Sequence, residues 1–154
     1  MISFGEEKTI RIWTLISALS VMAVSVSAAE PPSAVIFIDH EKMAAGFAKG
    51  GTVLNNGAYQ ILTSHRLEPG QVEVHAQYGD IMYVVEGSAT FVTGGQVNGE
   101  KKDNPEKPRG KSITGGQTHH LIKGDVIVIP DGVPHWLEQV SDFNNFVVKI
   151  RAGN

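Results

Sequence analysis

Apolar and polar side chains alternate with a period of two through most of the chain after Thr52, a pattern typical of β-strands. Short clusters of Gly, Pro, Asn and Asp separate the alternating stretches, as turns do. Many short strands at close spacing favour an all-β sandwich or barrel. Residues 94–116 are rich in Gly, Pro, Lys and Asp with almost nothing to bury, and they predict a long surface loop or hairpin extension. The predicted strands are 59–67, 72–77, 81–86, 88–93, 121–122, 126–129, 135–139 and 143–151.

One short helix is predicted ahead of these strands. Asp39 is a suitable N-cap, and Met43 and Phe47 lie four residues apart, which gives a helix ending near Lys49 one apolar face. The Gly50–Gly51 pair that follows is a common helix end. We therefore expect this helix to lie with its apolar face against the sheet.

The beginning of the chain has the pattern of a secretory signal peptide. Lys8 and Arg11 precede an apolar stretch at residues 12–26, and small residues follow it, which places the cleavage site near Ala28 or Ala29. An uncleaved anchor helix is the alternative, but the apolar stretch is short for a bilayer, which needs about 20 residues. The pattern predicts a periplasmic or secreted protein that keeps no membrane anchor after processing.

Removal of residues 1–28 leaves residues 29–154, a length that suits one domain, with its barrel core at about 55–151. The formal net charge is −3, and the removed segment holds as many acidic as basic residues, so the mature chain keeps this charge. Such a chain has no basic patch for nucleic acid or for an anionic membrane. The sequence contains no cysteine, which excludes disulfides and thiolate chemistry.

The residues with the clearest chemistry are two histidines on predicted strands. Side chains at i and i+2 of a strand lie on one face, so His75 shares a face with Gln77, and His135 shares one with Gln139. Asp80 follows closely enough to point toward the same space. Two imidazoles, a carboxylate and an amide oxygen form a plausible ligand set, and two histidines with one carboxylate suit iron(II) and similar divalent ions.

Two segments resemble the motifs of the cupin superfamily, and together with their strands they cover most of the mature chain. The second motif matches in all its Gly, Pro and His positions. In the first, Gln77 stands where the family has a second histidine, and the shorter Asp80 replaces a glutamate; Gln139 replaces the asparagine that ends the second. The two segments are Gly70-x4-His75-x-Gln77-x2-Asp80-x6-Gly87 and Gly124-x5-Pro130-x-Gly132-x2-His135-x3-Gln139.

The resemblance implies an all-β, double-stranded β-helix (jelly-roll) barrel, often a homodimer, with a divalent metal ion near the barrel axis. The implied ligands are His75, Gln77, Asp80 and His135, and their chemistry leaves Mn, Fe, Ni, Cu and Zn open. The alternative is a metal-free barrel in which the two histidines form hydrogen bonds inside a ligand cavity.

Further residues are predicted to surround this centre. His65 alternates with Tyr59 and Ile61, so it either lines the cavity or is a partly buried structural histidine. Trp136 points away from His135 and is expected in core or dimer packing. His119 and His120 face opposite ways, which favours a solvated loop end. The predicted cavity residues are His65, Met82, Val84, Leu137 and Gln139.

Two functions follow from this reading of the sequence. The first is a small-molecule metalloenzyme of the oxygenase, isomerase or lyase class, for which no catalytic residue can be assigned beyond Asp80 or His65 as a general base. The second is a non-catalytic periplasmic protein that binds a small molecule, either with a metal or as a metal-free barrel. Both predict a mainly apolar cavity with a few polar groups.

Overall fold

The computed structural model describes residues 34–99 and 108–153. The predicted signal peptide at residues 1–28 and the middle of the predicted loop, residues 100–107, lie outside these ranges. The described residues from Ile36 onward belong to one compact unit. Within the described ranges, no helix has the length and apolar character needed to cross a membrane.

The fold is almost entirely β-structure, with one short helix at its beginning, as the sequence predicted. Helix α1 spans His40–Lys49. The strands are β1 (Gly51–Asn55), β2 (Tyr59–Arg66), β3 (Val72–Glu73), β4 (Tyr78–Thr93), β5 (Gln96–Asn98), β6 (Arg109–Gly110), β7 (Ser112–Thr114), β8 (Gln117–Ile122), β9 (Val126–Ile129) and β10 (His135–Arg151).

Helix α1 begins and ends where the sequence indicated. The Asp39 carboxylate accepts a hydrogen bond from the backbone N–H of Lys42 at 2.8 Å, and Gly50 ends the helix with a φ of 68°. Gly46 allows the helix to approach the sheet closely, because a Cβ at this position would lie 2.8 Å from the Val53 side chain. The helix therefore packs on β1 and β2 through its small residue and its half-buried apolar positions.

Two long strands, β4 and β10, form the centre of the barrel. They pair antiparallel along their whole length, and β10 also pairs with β2 and β3 while β4 pairs with β8 and β9. The short β6 extends the sheet beyond β3, and β5 and β7 form a separate two-stranded sheet. The core between the strands consists of Met82, Val84, Ala89, Phe91, Leu121, Ile129, Leu137 and Phe143.

Each long strand was predicted as two shorter ones, and the structure corrects this. Gly87, predicted as a turn, has a φ of 76° and bends β4 without ending it. Opposite it, β10 bends at an irregularity between Ser141 and Asn144, where Asp142 has a φ of 44°. The carbonyl oxygens of Ser141 and Asp142 lie so close to Gly87 that any Cβ there would collide with them.

The predicted strand 72–77 and the predicted loop 94–116 also need correction. Only Val72 and Glu73 form strand β3, and the chain then leaves the sheet through a turn at Ala76 and Gln77. In the loop region, the described residues include strands β5, β6 and β7. Polar side chains hold this hairpin together, since the Asn98 amide donates to the hydroxyl oxygens of Ser112 and Thr114.

The outer face of the sheet carries a row of exposed apolar side chains. Val126 and Val128 of β9 are 58% and 65% exposed, and neighbouring Tyr83 of β4 contacts Phe146 of β10 with ring centroids 5.5 Å apart. The pairing of β9, β4 and β10 makes these positions neighbours across three strands. We call Tyr83, Val126, Val128 and Phe146 the outer apolar face.

Candidate metal centre

A cavity of about 280 Å³ lies inside the barrel, within the region where β2, β3, β4 and β10 approach one another. One part of its wall is apolar, and the other carries ionisable and amide groups. The apolar residues are Leu62, Met82, Phe91, Leu137 and Val147, and the polar ones include Ser64, Arg66, Glu73, Asp80, His135, Asn145 and Lys149. This composition is typical of a pocket for a small organic molecule.

Two side chains that line this cavity, together with a buried neighbour, could hold a metal ion. Glu73, His75 and His135 each offer one ligand atom, and these atoms all lie within 4.8 Å of one another. The pairing of β3 with β10 places Glu73 directly opposite His135, and His75 follows two residues after Glu73. The geometry therefore joins a carboxylate and two imidazoles from distant parts of the chain.

The buried His75 ring is close to two carboxylates but is bonded to neither. Its Nε2 atom lies 3.3 Å from Glu73 Oε2 and 3.6 Å from Asp80 Oδ2, yet neither ring nitrogen has a hydrogen-bond partner in the described structure. Burying an unpaired polar atom is unfavourable. A cation bound between these atoms would give the buried His75 ring a partner.

His135 is held in one tautomer. Its Nδ1 lies 2.9 Å from the Val133 carbonyl oxygen, so Nδ1 carries the proton and donates it, and Nε2 of the neutral ring is left with a free lone pair. Burial lowers the pKa of His135, since the charged imidazolium loses its hydration. Burial therefore favours the neutral ring, which is the form that binds metals, although the hydrogen bond to Val133 acts on the pKa in the opposite direction.

Glu73 divides its two oxygens between two partners. Oε2 faces His75, and Oε1 accepts from Arg109 at 3.0 Å. Contact with the His75 ring, assisted by the Arg109 guanidinium, lowers the pKa of Glu73 from 4.5 to about 2, although burial acts in the opposite direction. Glu73 is therefore ionised throughout the physiological range.

Asp80 lies next to His75 but already has a cationic partner. Lys149 is directly opposite Asp80 in the pairing of β4 with β10, and its ammonium nitrogen lies 2.6 Å from Asp80 Oδ2. Both side chains are buried, with 5% of Asp80 and 13% of Lys149 exposed. The second oxygen, Oδ1, is buried without a partner among the described residues. Asp80 thus borders the cluster, and Lys149 holds one of its oxygens.

The structure brings His75, His135 and Asp80 together as predicted, but it does not bring Gln77 to them. Gln77 is exposed in the turn after β3, because the strand ends at Glu73 and the alternation of faces ends with it. Glu73, Lys149 and Arg109 were not predicted. Glu73 is brought to the two histidines by the pairing of β3 with β10, which strand alternation alone does not reveal.

Two predicted cavity residues also lie elsewhere. His65 is exposed on the outside of β2, where its Nε2 contacts the Asp142 carboxylate at 2.5 Å, because the even-numbered residues of β2 face the cavity. Gln139 is exposed beside Thr90, since a β-bulge between Leu137 and Gln139 reverses the side on which Gln139 points.

The other predicted positions are closer to their expected places. Met82 and Leu137 line the cavity, and Val84 is fully buried in the adjoining core. Trp136 is half-buried, and its indole N–H donates to the Gly70 carbonyl oxygen at 2.8 Å. His119 and His120 face different ways, but both lie in strand β8 and not at the predicted loop end, and His119 is bonded to the Thr93 hydroxyl at 2.9 Å.

Fold and site together define an antiparallel β-barrel protein with an internal cavity and a candidate metal centre at its wall. A family model described as Cupin matches residues 70–150, and the chain belongs to this family.

Solved structures resemble this chain in fold. Protein BH2720 from Bacillus halodurans is 13% identical with a TM-score of 0.52, covering 77% of this chain and 83% of its own. Hydroquinone 1,2-dioxygenase from Sphingomonas sp. TTNP3, solved with 4-hydroxybenzoate bound, is 13% identical with a TM-score of 0.50, covering 79% and 83%. E. coli ycfD is 22% identical with a TM-score of 0.50, covering 62% of this chain and 26% of ycfD. Among curated protein sequences, none matches this chain.

Proposed function

We propose that the barrel binds a divalent metal ion on Glu73, His75 and His135, and that the protein is a small-molecule metalloenzyme. The observation that carries this proposal is the convergence of three ligand atoms within 4.8 Å, combined with buried His75 nitrogens that have no hydrogen-bond partner among the described residues. One carboxylate and two imidazoles suit Mn, Fe, Ni, Cu and Zn alike.

A metal ion at this place would act as a Lewis acid toward a carbonyl, enolate or similar oxygen of the bound molecule. The protein's own residues would do the rest. The Val133 carbonyl orients His135, Arg109 orients Glu73, and the apolar wall with Phe91 excludes water from the ligand. The proposal covers the oxygenase, isomerase and lyase classes, because a shared fold does not determine the reaction. The hydroquinone dioxygenase is similar to this chain in fold alone.

Metal binding can be tested by elemental analysis of the purified protein, followed by equilibrium dialysis against Mn²⁺. We expect about one ion per chain, and a loss of affinity of at least about 100-fold in Glu73→Gln and His135→Ala, since each removes one of three ligands. The matched control is His120→Ala, an exposed histidine on β8. Metal content that stays low in the wild type and is the same in all variants would overturn the metalloenzyme.

A second function is favoured by one specific observation. Both carboxylates of the site already contact a cation, Glu73 through Arg109 and Asp80 through Lys149. This pairing balances the site without a metal ion, as a metal-free binding protein requires. Ligand binding of equal strength before and after dialysis against a chelator would favour this non-catalytic function over the enzyme.

A further inference from the structure

We infer that the cavity takes a small organic anion, a carboxylate with an apolar body, and that Arg66 is the residue that binds its carboxylate. That this ligand is a substrate rests on the proposed function. That it is an anion follows from the charges of the cavity and does not depend on that function. Arg66 is on the cavity-facing side of β2, together with Leu62 and Ser64.

The Arg66 guanidinium lies close to Gly70. A Cβ built on Gly70 would lie 3.5 Å from Arg66 Nη1 and 3.9 Å from both Arg66 Cζ and the Leu137 Cβ. The guanidinium therefore lies beside Gly70 and Leu137. Leu137 is two residues after His135 on the same strand face, a spacing of about 7 Å. A ligand of modest size can reach from the metal centre to Arg66.

The charges of the site leave Arg66 uncompensated. Glu73 pairs with Arg109 at 3.0 Å and Asp80 pairs with Lys149 at 2.6 Å, so each carboxylate at the centre has its own cation. Arg66 forms no ion pair with any carboxylate in residues 34–99 and 108–153. A guanidinium stays protonated at any physiological pH and binds a carboxylate with two parallel hydrogen bonds.

The rest of the wall defines the body of the ligand. Leu62, Met82, Phe91, Leu137 and Val147 offer apolar surface between the two polar ends of the cavity. A divalent ion on the cluster would add further positive charge. An anionic head and a compact apolar or aromatic body are therefore complementary to the cavity in charge and in polarity.

The test compares benzoate with benzamide, which has the same shape without the charge, by isothermal titration calorimetry. In protein dialysed against a chelator, we expect wild-type protein to bind benzoate at least about tenfold more tightly than benzamide. Arg66→Met should abolish this preference, and Arg66→Lys should restore part of it. Lys123→Met removes a cation from the surface, where Lys123 pairs with Glu86, and should leave the preference unchanged.

The variants are compared after circular dichroism has verified their fold. Equal affinity for benzoate and benzamide in the wild type, no benzoate binding at all, or an unchanged preference in Arg66→Met would each overturn the inference. Metal content is measured separately by dialysis. A charge preference that depends on Arg66 in a protein that binds no metal would refute the metal proposal and leave the anion site standing.

Discussion

The buried ion pair of Asp80 and Lys149 should show strong energetic coupling. Its atoms are 2.6 Å apart, and the two side chains are only 5% and 13% exposed. At an effective dielectric constant of about 20, charges at such a separation attract each other by about 6 kcal/mol, and the loss of hydration offsets much of this. Removing one partner leaves the other buried and unpaired.

We therefore expect Lys149→Met to lower the free energy of unfolding by about 3–5 kcal/mol. Asp80→Asn, which keeps the shape and one acceptor oxygen, should lower it by about 2–3 kcal/mol. The double variant should be more stable than Lys149→Met alone, because the carboxylate that had lost its partner is then also gone. The sign of this difference matters more than its size.

Urea denaturation followed by circular dichroism, in the presence of a chelator, measures all four proteins. Thermal melting gives the same ranking if a single variant is partly unfolded at room temperature. If the double variant loses as much unfolding free energy as the two single variants together, to within about 0.5 kcal/mol, the reasoning is refuted. That result would mean that the two charges are stabilised separately by water rather than by each other.

Four further outcomes are expected. Gly87→Ala should lower the free energy of unfolding by about 3 kcal/mol or more, because its Cβ would collide with two carbonyl oxygens. Gly124→Ala, at a position with a φ of 93° but with open space around it, should lower it by only about 1 kcal/mol. Equal effects of the two substitutions in thermal melting would contradict this. The pKa of Glu73 is about 2 in the folded protein and 4.5 as its ordinary value, so its carboxylate stabilises the fold above about pH 4.5, and this contribution is lost as the pH falls toward 2. The stability difference between wild type and Glu73→Gln, measured in chelator, should thus shrink by about 2–3 kcal/mol from pH 6 to pH 3, and a constant difference would argue against the shift. Mass spectrometry of the protein secreted from an expressing bacterium should find the N-terminus at Ala29 or Glu30, and an intact Met1 would contradict export. Size-exclusion chromatography with light scattering should show a dimer formed through the outer apolar face, which Val128→Glu should convert to a monomer; a monomeric wild type would contradict this.

Most of the fold could be predicted because the barrel depends on local patterns. The alternation of faces identified β2 and the halves of β4 and β10, a continuous apolar run identified β9, and the N-cap at Asp39 identified α1. The continuity of β4 and β10 could not be predicted. In a sequence, a glycine between two strand patterns predicts a turn. Only the close approach of β10 shows that Gly87 lies at a point where β4 and β10 bend together.

The candidate site was predicted in part for a similar reason. His135 and His75 were found through strand periodicity and motif spacing, which are both local. The pairing of Glu73 with Arg109 and that of Asp80 with Lys149 depend on which strands become neighbours, and one sequence does not contain that information. Gln139 was misplaced because a single bulged residue reverses every side chain that follows it until the next irregularity.

The meeting of β3 with the beginning of β10 has a consequence for how the metal is acquired. Glu73 and His135 are about sixty residues apart in the chain, and their strands pair only there. No short segment of the chain contains all three ligand atoms, so the cluster exists only once β3 and β10 have paired. The proposed metal would therefore be acquired from the compartment in which the barrel closes, and the ions available there would decide which metal it holds.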